Sequence, residues 1–99
     1  QVETISLHLI LKEEFNMKKI LYFTADWCGP CASIKPQMQE LSAQLPITFI
    51  NVDVSKPTAD HYMVRNIPCV VLVDSYGNES GRIVGTNINK QTVTDLYNR

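Results

Sequence analysis

Residues 20–31 have the sequence ILYFTADWCGPC. The first four are apolar or aromatic, as in a strand buried on both faces, and the residues after Cys31 follow a helical period. Pro30 suits the first helical turn, where its missing N–H has no intrahelical partner to lose. This stretch therefore predicts a strand, a short loop and a helix that begins near the two cysteines.

Cys28 and Cys31 stand three residues apart, a spacing typical of a redox-active dithiol. If Cys31 lies in the first helical turn, Cys28 lies beside it, within reach of a short-loop disulfide. Gly29 would let the backbone turn tightly and leave the Cys28 sulfur uncovered. We therefore predict a pair of thiols that opens and closes as a disulfide.

Cys28 is the expected nucleophile of the pair. Only a thiolate attacks, and a cysteine with a pKa of about 8.5 is only a few per cent ionised at pH 7. Lowering that pKa to near 7 requires about 2 kcal/mol, of which a helix N-terminus typically supplies about 0.3–1 kcal/mol. Hydrogen bonds from the Cys31 thiol and from N–H groups of the first turn would supply the rest. Cys31, one turn deeper, is the expected resolving thiol.

The segment Trp27-Cys28-Gly29-Pro30-Cys31 resembles the active-site signature of the thioredoxin family, and the resemblance extends from about Met17 to the C-terminus. Asn66-Ile67-Pro68 resembles that family's cis-proline loop. The resemblance implies an α/β thioredoxin fold, with a central mixed β-sheet flanked by helices, and protein thiol–disulfide exchange through the two cysteines. It also implies an apolar substrate groove formed by Trp27, Gly29, Pro30, Ile67, Pro68 and Gly85.

Four further positions bear on that resemblance. Thioredoxins usually carry a buried aspartate where this chain has Tyr22, and a partner lysine where it has Phe49. Because aromatic residues replace both the aspartate and the lysine, neither charge is left buried without its partner. The replacement implies that the release of the substrate by Cys31 is slower or depends differently on pH. Cys69, where thioredoxins commonly have threonine, is either a small buried strand residue or a third redox thiol. Asp26 is expected to tune or solvate the rim of the site, or to carry a proton.

Length and composition exclude several other classes of protein. A chain of 99 residues with 44% hydrophobic residues can bury one core. A net charge of −1 without a Lys/Arg cluster argues against binding of nucleic acid. His8 and His61 have no cysteine at ligand spacing, so no metal site is expected. Neither a membrane-spanning stretch nor a secretory signal is evident, which indicates a cytoplasmic protein.

Hydrophobic periodicity and turn residues predict the remaining elements. In order along the chain, we expect a helix that ends at Pro46, a strand over Ile47–Val54, a helix opened by Pro57 that carries Tyr62, Met63 and Val64, a strand over Val70–Val73, a hairpin turn over Ser75–Asn78, an antiparallel return strand over Ser80–Val84, and a last helix with Asn89 as N-cap.

Residues 1–16 allow two interpretations. Apolar residues alternate with polar ones from Ile5 to Leu11, which favours a short first strand at the edge of the sheet. However, only residues 12–19 would then remain for a crossover that normally needs a dozen or more. Alternatively, Met17 is a natural start and residues 1–16 are an N-terminal extension. In either case residues 17–99 are expected to form the thioredoxin domain.

The resemblance also implies partners. No cofactor would be bound to this chain, and electrons would come from NADPH through thioredoxin reductase. The substrates would be proteins with disulfides, and the chain would act as a monomer. Three alternatives remain: a glutaredoxin-like reductase that uses glutathione, an extracytoplasmic oxidase, and a non-catalytic binding module with the same groove. The Cys-Gly-Pro-Cys sequence and the lack of a basic glutathione-carboxylate site count against the first.

Overall fold

The computed structural model describes residues 18–99. Both interpretations of residues 1–16, and Met17 as a start, lie outside these residues. The described part contains, in order, β1 (Lys19–Thr24), α1 (Gly29–Leu41), β2 (Ile47–Asn51), α2 (Lys56–His61), β3 (Cys69–Val73), β4 (Glu79–Val84), a 3-10 turn (Gly85–Asn87) and α3 (Lys90–Tyr97).

The described strands form one mixed sheet in the order β2-β1-β3-β4. β1 and β2 are parallel neighbours joined through α1, whereas β3 pairs antiparallel with both β1 and β4. The predicted mixed sheet with an antiparallel strand at its end is therefore confirmed. β1 and β3 lie in the middle of the sheet, and their side chains are buried on both faces, which explains their nearly continuous apolar sequences.

The sheet separates two hydrophobic clusters. One face packs against α1 and α3, through a cluster that includes Ile20 and Tyr22 of β1, Met38 of α1 and Val93 of α3. The other face packs against α2 and includes Phe23, Ala59 and Cys69, among others. Alternate residues of β1 thus point to opposite clusters, as the period of a strand requires. The helices on both faces agree with the predicted α/β class.

Three predicted element ends were wrong. α1 ends at Leu41 rather than at Pro46, and residues 42–44 form a turn in which the Ser42 hydroxyl donates to the Gln39 carbonyl oxygen at 2.6 Å. Pro46 disfavours helix at the residue before it. β2 ends at Asn51, where the Asn51 side chain accepts from the Asp53 N–H at 2.9 Å in a local turn.

The third wrong end is that of α2, which stops at His61 because Met63 adopts a left-handed φ of 54°. Tyr62, Met63 and Val64 therefore follow the helix instead of belonging to it. The predicted cap of the last helix is confirmed: the Asn89 side chain accepts from the Thr92 N–H at 2.9 Å, and the Thr92 hydroxyl accepts from the Asn89 N–H at 3.0 Å.

Candidate active site

Cys28 is the N-cap residue of α1, at the end of the loop that leaves β1. Its backbone is extended (φ −85°, ψ 107°), and its sulfur accepts a hydrogen bond from the Cys31 N–H at 3.2 Å. Pro30 occupies the first helical turn, as predicted. Cys31 therefore lies one turn into the helix, directly beside Cys28. The N-terminus of α1 thus presents the free N–H of Cys31 to the sulfur of Cys28.

The two cysteines form a disulfide, with their Cα atoms 5.2 Å apart. That separation lies within the ordinary range for disulfides. Gly29 is the first residue of α1 and its φ is not in the left-handed region, so the prediction that it permits a tight turn was wrong. The local sequence brings both sulfurs to the start of one helix, where the disulfide forms without a change in the backbone.

The prediction of an uncovered Cys28 sulfur was also wrong for this oxidised form. Cys28 is 6% exposed and Cys31 is 2% exposed. Together with Ala25 they form a small cluster against which the partly buried Val52 and Ile67 pack. Tertiary contacts, which the sequence around the motif does not reveal, therefore cover most of the disulfide. Cys28 remains the more accessible of the pair, between the exposed residues Trp27 and Gly29.

Trp27 is 69% exposed, yet its ring has a specific partner. The indole Nε1–H donates to the Asp53 Oδ2 at 2.8 Å. Asp53 lies in the turn after β2, and its own N–H is held by the Asn51 side chain. Sequence reasoning missed Asp53, because an aspartate 26 residues away carries no local signal of this contact. Asp53 gives the rim of the site a negative charge and a fixed acceptor.

The Ile67–Pro68 peptide bond is cis, as the resemblance predicted. Pro68 itself is fully buried, so its ring offers little surface to a ligand. Its carbonyl oxygen accepts from the Gly85 N–H at 2.9 Å, which joins these two predicted groove residues. Gly85 follows β4 with a φ of 87°, a left-handed conformation that favours glycine. Ile67 packs against the cluster that contains the disulfide.

Tyr22 and Phe49 are direct partners in the register of β1 and β2. Their rings meet edge to face with centroids 5.6 Å apart. Tyr22 is fully buried, and its hydroxyl donates to the Cys31 carbonyl oxygen at 3.4 Å. Burial raises the pKa of the Tyr22 hydroxyl, an effect that a side-chain hydrogen bond from Thr24 partly offsets. The phenol is therefore neutral at neutral pH. Among residues 18–99, no charged residue is buried.

Cys69 lies in the cluster on the α2 side of the sheet, apart from the cluster that holds the disulfide. It is 1% exposed. Burial raises the pKa of its thiol, and the nearby Arg82 only partly offsets that rise. These observations favour a small buried strand residue over a third redox thiol. Asp26, which is expected to tune the rim of the site or to carry a proton, is exposed on the loop before Trp27.

Neither a metal centre nor a membrane segment is found in the described part of the chain. Residues 18–99 contain no group of three or more His, Cys, Asp or Glu side chains arranged to hold a metal ion. Among the same residues, no helix has the length and apolar character needed to cross a membrane.

Comparison with known proteins agrees with this geometry. The sequence model of the thioredoxin family matches residues 8–98. The chain is 40% identical over 80 residues to a thioredoxin of Chlamydia pneumoniae, a match that covers 78% of this chain and 76% of the relative. It is 35% identical over 96 residues to an H-type thioredoxin of Fagopyrum esculentum, with 86% and 82% covered.

Solved structures give the same result. The reduced thioredoxin pre-protein of Schistosoma mansoni superimposes with a TM-score of 0.75 at 28% identity, covering 94% of this chain and 88% of that one. The thioredoxin of Fasciola hepatica gives a TM-score of 0.76 at 25% identity, with 97% and 92% covered. The chain has a disulfide-forming pair of cysteines at the N-terminus of α1, and it matches these thioredoxins over most of its length. It therefore belongs to the thioredoxin family and is a thiol–disulfide oxidoreductase.

Proposed function

We propose that Cys28 is the attacking thiolate and Cys31 the resolving thiol in the reduction of protein disulfides. The observation that carries this assignment is the hydrogen bond from the Cys31 N–H to the Cys28 sulfur, at the start of α1. An N–H donor and a helix N-terminus both stabilise negative charge at that sulfur. Cys31 has no corresponding N-cap position, and it is the less accessible of the two.

In the first step, the Cys28 thiolate attacks one sulfur of a substrate disulfide, R–S–S–R′. A mixed disulfide between Cys28 and R forms, and R′–S⁻ leaves and takes up a proton. In the second step, Cys31 loses its proton and attacks the Cys28 sulfur; the bond between Cys28 and R breaks, and R–S⁻ leaves and takes up a proton. The products are two substrate thiols and the Cys28–Cys31 disulfide, which is the form seen here. Two electrons and two protons must then return to the pair.

The substrate is proposed to bind in a groove lined by Trp27, Gly29, Pro30, Ile67 and Gly85, with Pro68 contributing through its backbone. Support comes from the contact of Ile67 with the disulfide cluster and from the hydrogen bond between Pro68 and Gly85. The exposed Trp27 ring offers apolar surface at one side. Asp26, also exposed, is proposed to tune this rim.

Thioredoxins need no bound cofactor, and we propose that NADPH supplies the electrons through a thioredoxin reductase. We also propose a cytoplasmic, monomeric protein, since a catalytic dithiol is kept reduced in that compartment. NADPH consumption is measured in two assays, one with a bacterial thioredoxin reductase and one with glutathione and glutathione reductase. The assay in which NADPH is consumed identifies the electron donor of this protein. Alkylation of thiols in intact cells, followed by mass analysis, reports whether the pair is reduced there, and light scattering of the purified protein reports its oligomeric state.

Reduction of insulin disulfides tests the assignment of the two cysteines. The wild type and Cys69→Ser, a matched control that removes the buried thiol outside the disulfide, should reduce insulin at similar rates. Cys28→Ser should be inactive, whereas Cys31→Ser should accumulate a mixed disulfide with the substrate that mass spectrometry detects. Activity retained by Cys28→Ser would contradict the assignment. An inactive but folded wild type would favour the binding module instead.

Residues 17–99 are proposed to form the thioredoxin domain, with residues 1–16 an extension or a short first strand. A variant that starts at Met17 separates the two interpretations. Unchanged insulin reduction and an unchanged urea midpoint would indicate an extension outside the fold. Loss of folding would indicate that the segment supplies a strand. That outcome would agree with the family match, which begins at residue 8.

A further inference from the structure

Tyr22 has contacts with both the sheet and the active-site helix. Its ring is fully buried in the cluster that also contains Ile34 and Met38, which lie on the inner face of α1. Its hydroxyl reaches the first turn of that helix and donates to the carbonyl oxygen of Cys31 at 3.4 Å. Among the described residues, this is the side-chain hydrogen bond that connects the sheet directly to a cysteine of the disulfide.

We propose that Tyr22 is a positioning residue that holds Cys31 for the resolving step. This proposal rests on the proposed function, in which Cys31 attacks the mixed disulfide formed at Cys28. The distance of 3.4 Å is long for an O–H···O hydrogen bond, so the contact is a modest one. It acts together with the packing of the ring in the cluster that also contains Ile34 and Met38 of α1.

The two steps of the reaction place different demands on the first turn of α1. Attack by Cys28 requires only the N-cap sulfur and an incoming disulfide. Resolution requires the Cys31 sulfur to stay close to, and aligned with, the Cys28 sulfur, so its rate depends on how well the turn is held. An anchor at the Cys31 carbonyl restricts Cys31 and leaves Cys28 free to change partners. Resolution is therefore the step that Tyr22 serves.

Tyr22 serves this step by position and not by accepting a proton. A phenol buried at this depth stays protonated at neutral pH, and it donates its hydrogen to the carbonyl. The proton of Cys31 must therefore leave by another route, to the departing substrate thiolate or to water. The role of Tyr22 is to hold the backbone of the attacking residue.

Tyr22→Phe tests this proposal, because it removes the hydroxyl and keeps the ring. Tyr97→Phe is the matched control, since Tyr97 packs at the border of the same cluster and makes no hydrogen bond to Cys31. The attack rate is measured in a Cys31→Ser background with a small aromatic disulfide as substrate. The resolution rate is measured in the otherwise wild-type pair, as the decay of the mixed disulfide after rapid mixing.

Tyr22→Phe should leave the attack rate within about twofold and slow resolution by about two- to tenfold, the effect of losing one neutral hydrogen bond. Tyr97→Phe should change neither rate. Equal resolution in Tyr22→Phe and the wild type, or equal slowing of both steps, would overturn the positioning role while leaving the cysteine assignment intact. A wild type that forms no mixed disulfide at Cys28 would overturn the proposed function and this proposal together.

Discussion

The indole N–H of Trp27 donates to the carboxylate of Asp53 at 2.8 Å, across 26 residues of sequence. The contact joins the loop before α1 to the turn after β2, the two segments that follow the parallel strands β1 and β2. Because Trp27 is mostly exposed, burial alone does not fix the orientation of its ring. Asp53 therefore sets where the apolar face of this side chain lies at the rim of the site.

Asp53→Ala should free the Trp27 ring and weaken substrate binding. We expect the KM for insulin to rise about two- to tenfold, the effect of losing a solvent-exposed charge-assisted hydrogen bond, with little change in kcat. Trp27 is the single tryptophan of the chain, so its fluorescence anisotropy should fall in the same variant. Asp60→Ala, an exposed carboxylate on α2, is the control. Unchanged anisotropy in Asp53→Ala would refute the role given to this contact.

The substitutions Tyr22→Asp and Phe49→Lys should be coupled in their effects on the free energy of unfolding, because the two positions are partners in the register of β1 and β2. Tyr22→Asp alone removes a buried ring and buries a carboxylate, so we expect a loss of at least about 3 kcal/mol in the free energy of unfolding. The loss should be smaller at acid pH, where the carboxyl is neutral and less costly to bury. Phe49→Lys supplies a partner whose amine can reach water, since Phe49 is 39% exposed.

A double-mutant cycle measured by urea unfolding gives the coupling between these two substitutions. We expect the double variant to be more stable than the sum of the single changes by about 1 kcal/mol or more. Additive effects would mean that the two side chains do not meet in the variant. Phe49→Leu, which removes the ring contact without adding charge, is the control for lost packing.

Met63→Gly should stabilise the protein. Met63 occupies the left-handed position after α2, where the Val64 N–H bonds the Ala59 carbonyl and the Met63 N–H bonds the Asp60 carbonyl. Glycine adopts this φ without steric cost, and the methionine side chain is 65% exposed, so little packing is lost. We expect a gain of about 0.5–1 kcal/mol, or roughly 2–8 °C in Tm.

Met63→Ala is the matched control for that experiment, because alanine removes the side chain but keeps the Cβ atom that opposes a left-handed φ. Its Tm should stay close to that of the wild type. If Met63→Ala gained as much as Met63→Gly, side-chain length and not backbone conformation would be the cause.

Glu79 and Arg82 of β4 form an ion pair at 2.6 Å, and Arg82 also donates to the Tyr62 carbonyl at 2.5 Å. The hydrogen bond from Arg82 lowers the pKa of Glu79. Folding therefore favours the ionised carboxylate, so this stability is present above the pKa of Glu79 in the unfolded chain and is lost as pH falls through the lower folded value. Both side chains are about a third exposed, which limits the effect to less than about 1 kcal/mol.

Glu79→Gln should thus be less stable than the wild type at neutral pH, and the difference should disappear at acid pH, once the pH lies below the lowered pKa of Glu79 in the folded protein. Urea midpoints at the two pH values measure this change, with Asp60→Asn as the control for loss of an exposed carboxylate. A difference that is the same at both pH values would show that the glutamate contributes by packing and not by charge.

The sequence by itself determined the features that depend on neighbouring residues. Cys28 and Cys31 meet because three residues make about one helical turn, Pro30 suits a helix start, and Asn89 is a good N-cap. The ends of α1, β2 and α2 were less predictable, because each depends on the conformation of the residues that follow. These are the turn over residues 42–44, the turn in which the Asn51 side chain accepts from the Asp53 N–H, and Met63 in a left-handed conformation.

Only the tertiary structure decided which distant groups surround the sulfurs. The contact of Trp27 with Asp53, the hydroxyl of Tyr22 at the Cys31 carbonyl and the hydrogen bond between Pro68 and Gly85 join residues that are 26, 9 and 17 positions apart. The small exposed fraction of Cys28 likewise comes from packing against Val52 and Ile67. Such contacts arise from the pairing of strands and the packing of helices on the sheet, which no local pattern of residue types specifies.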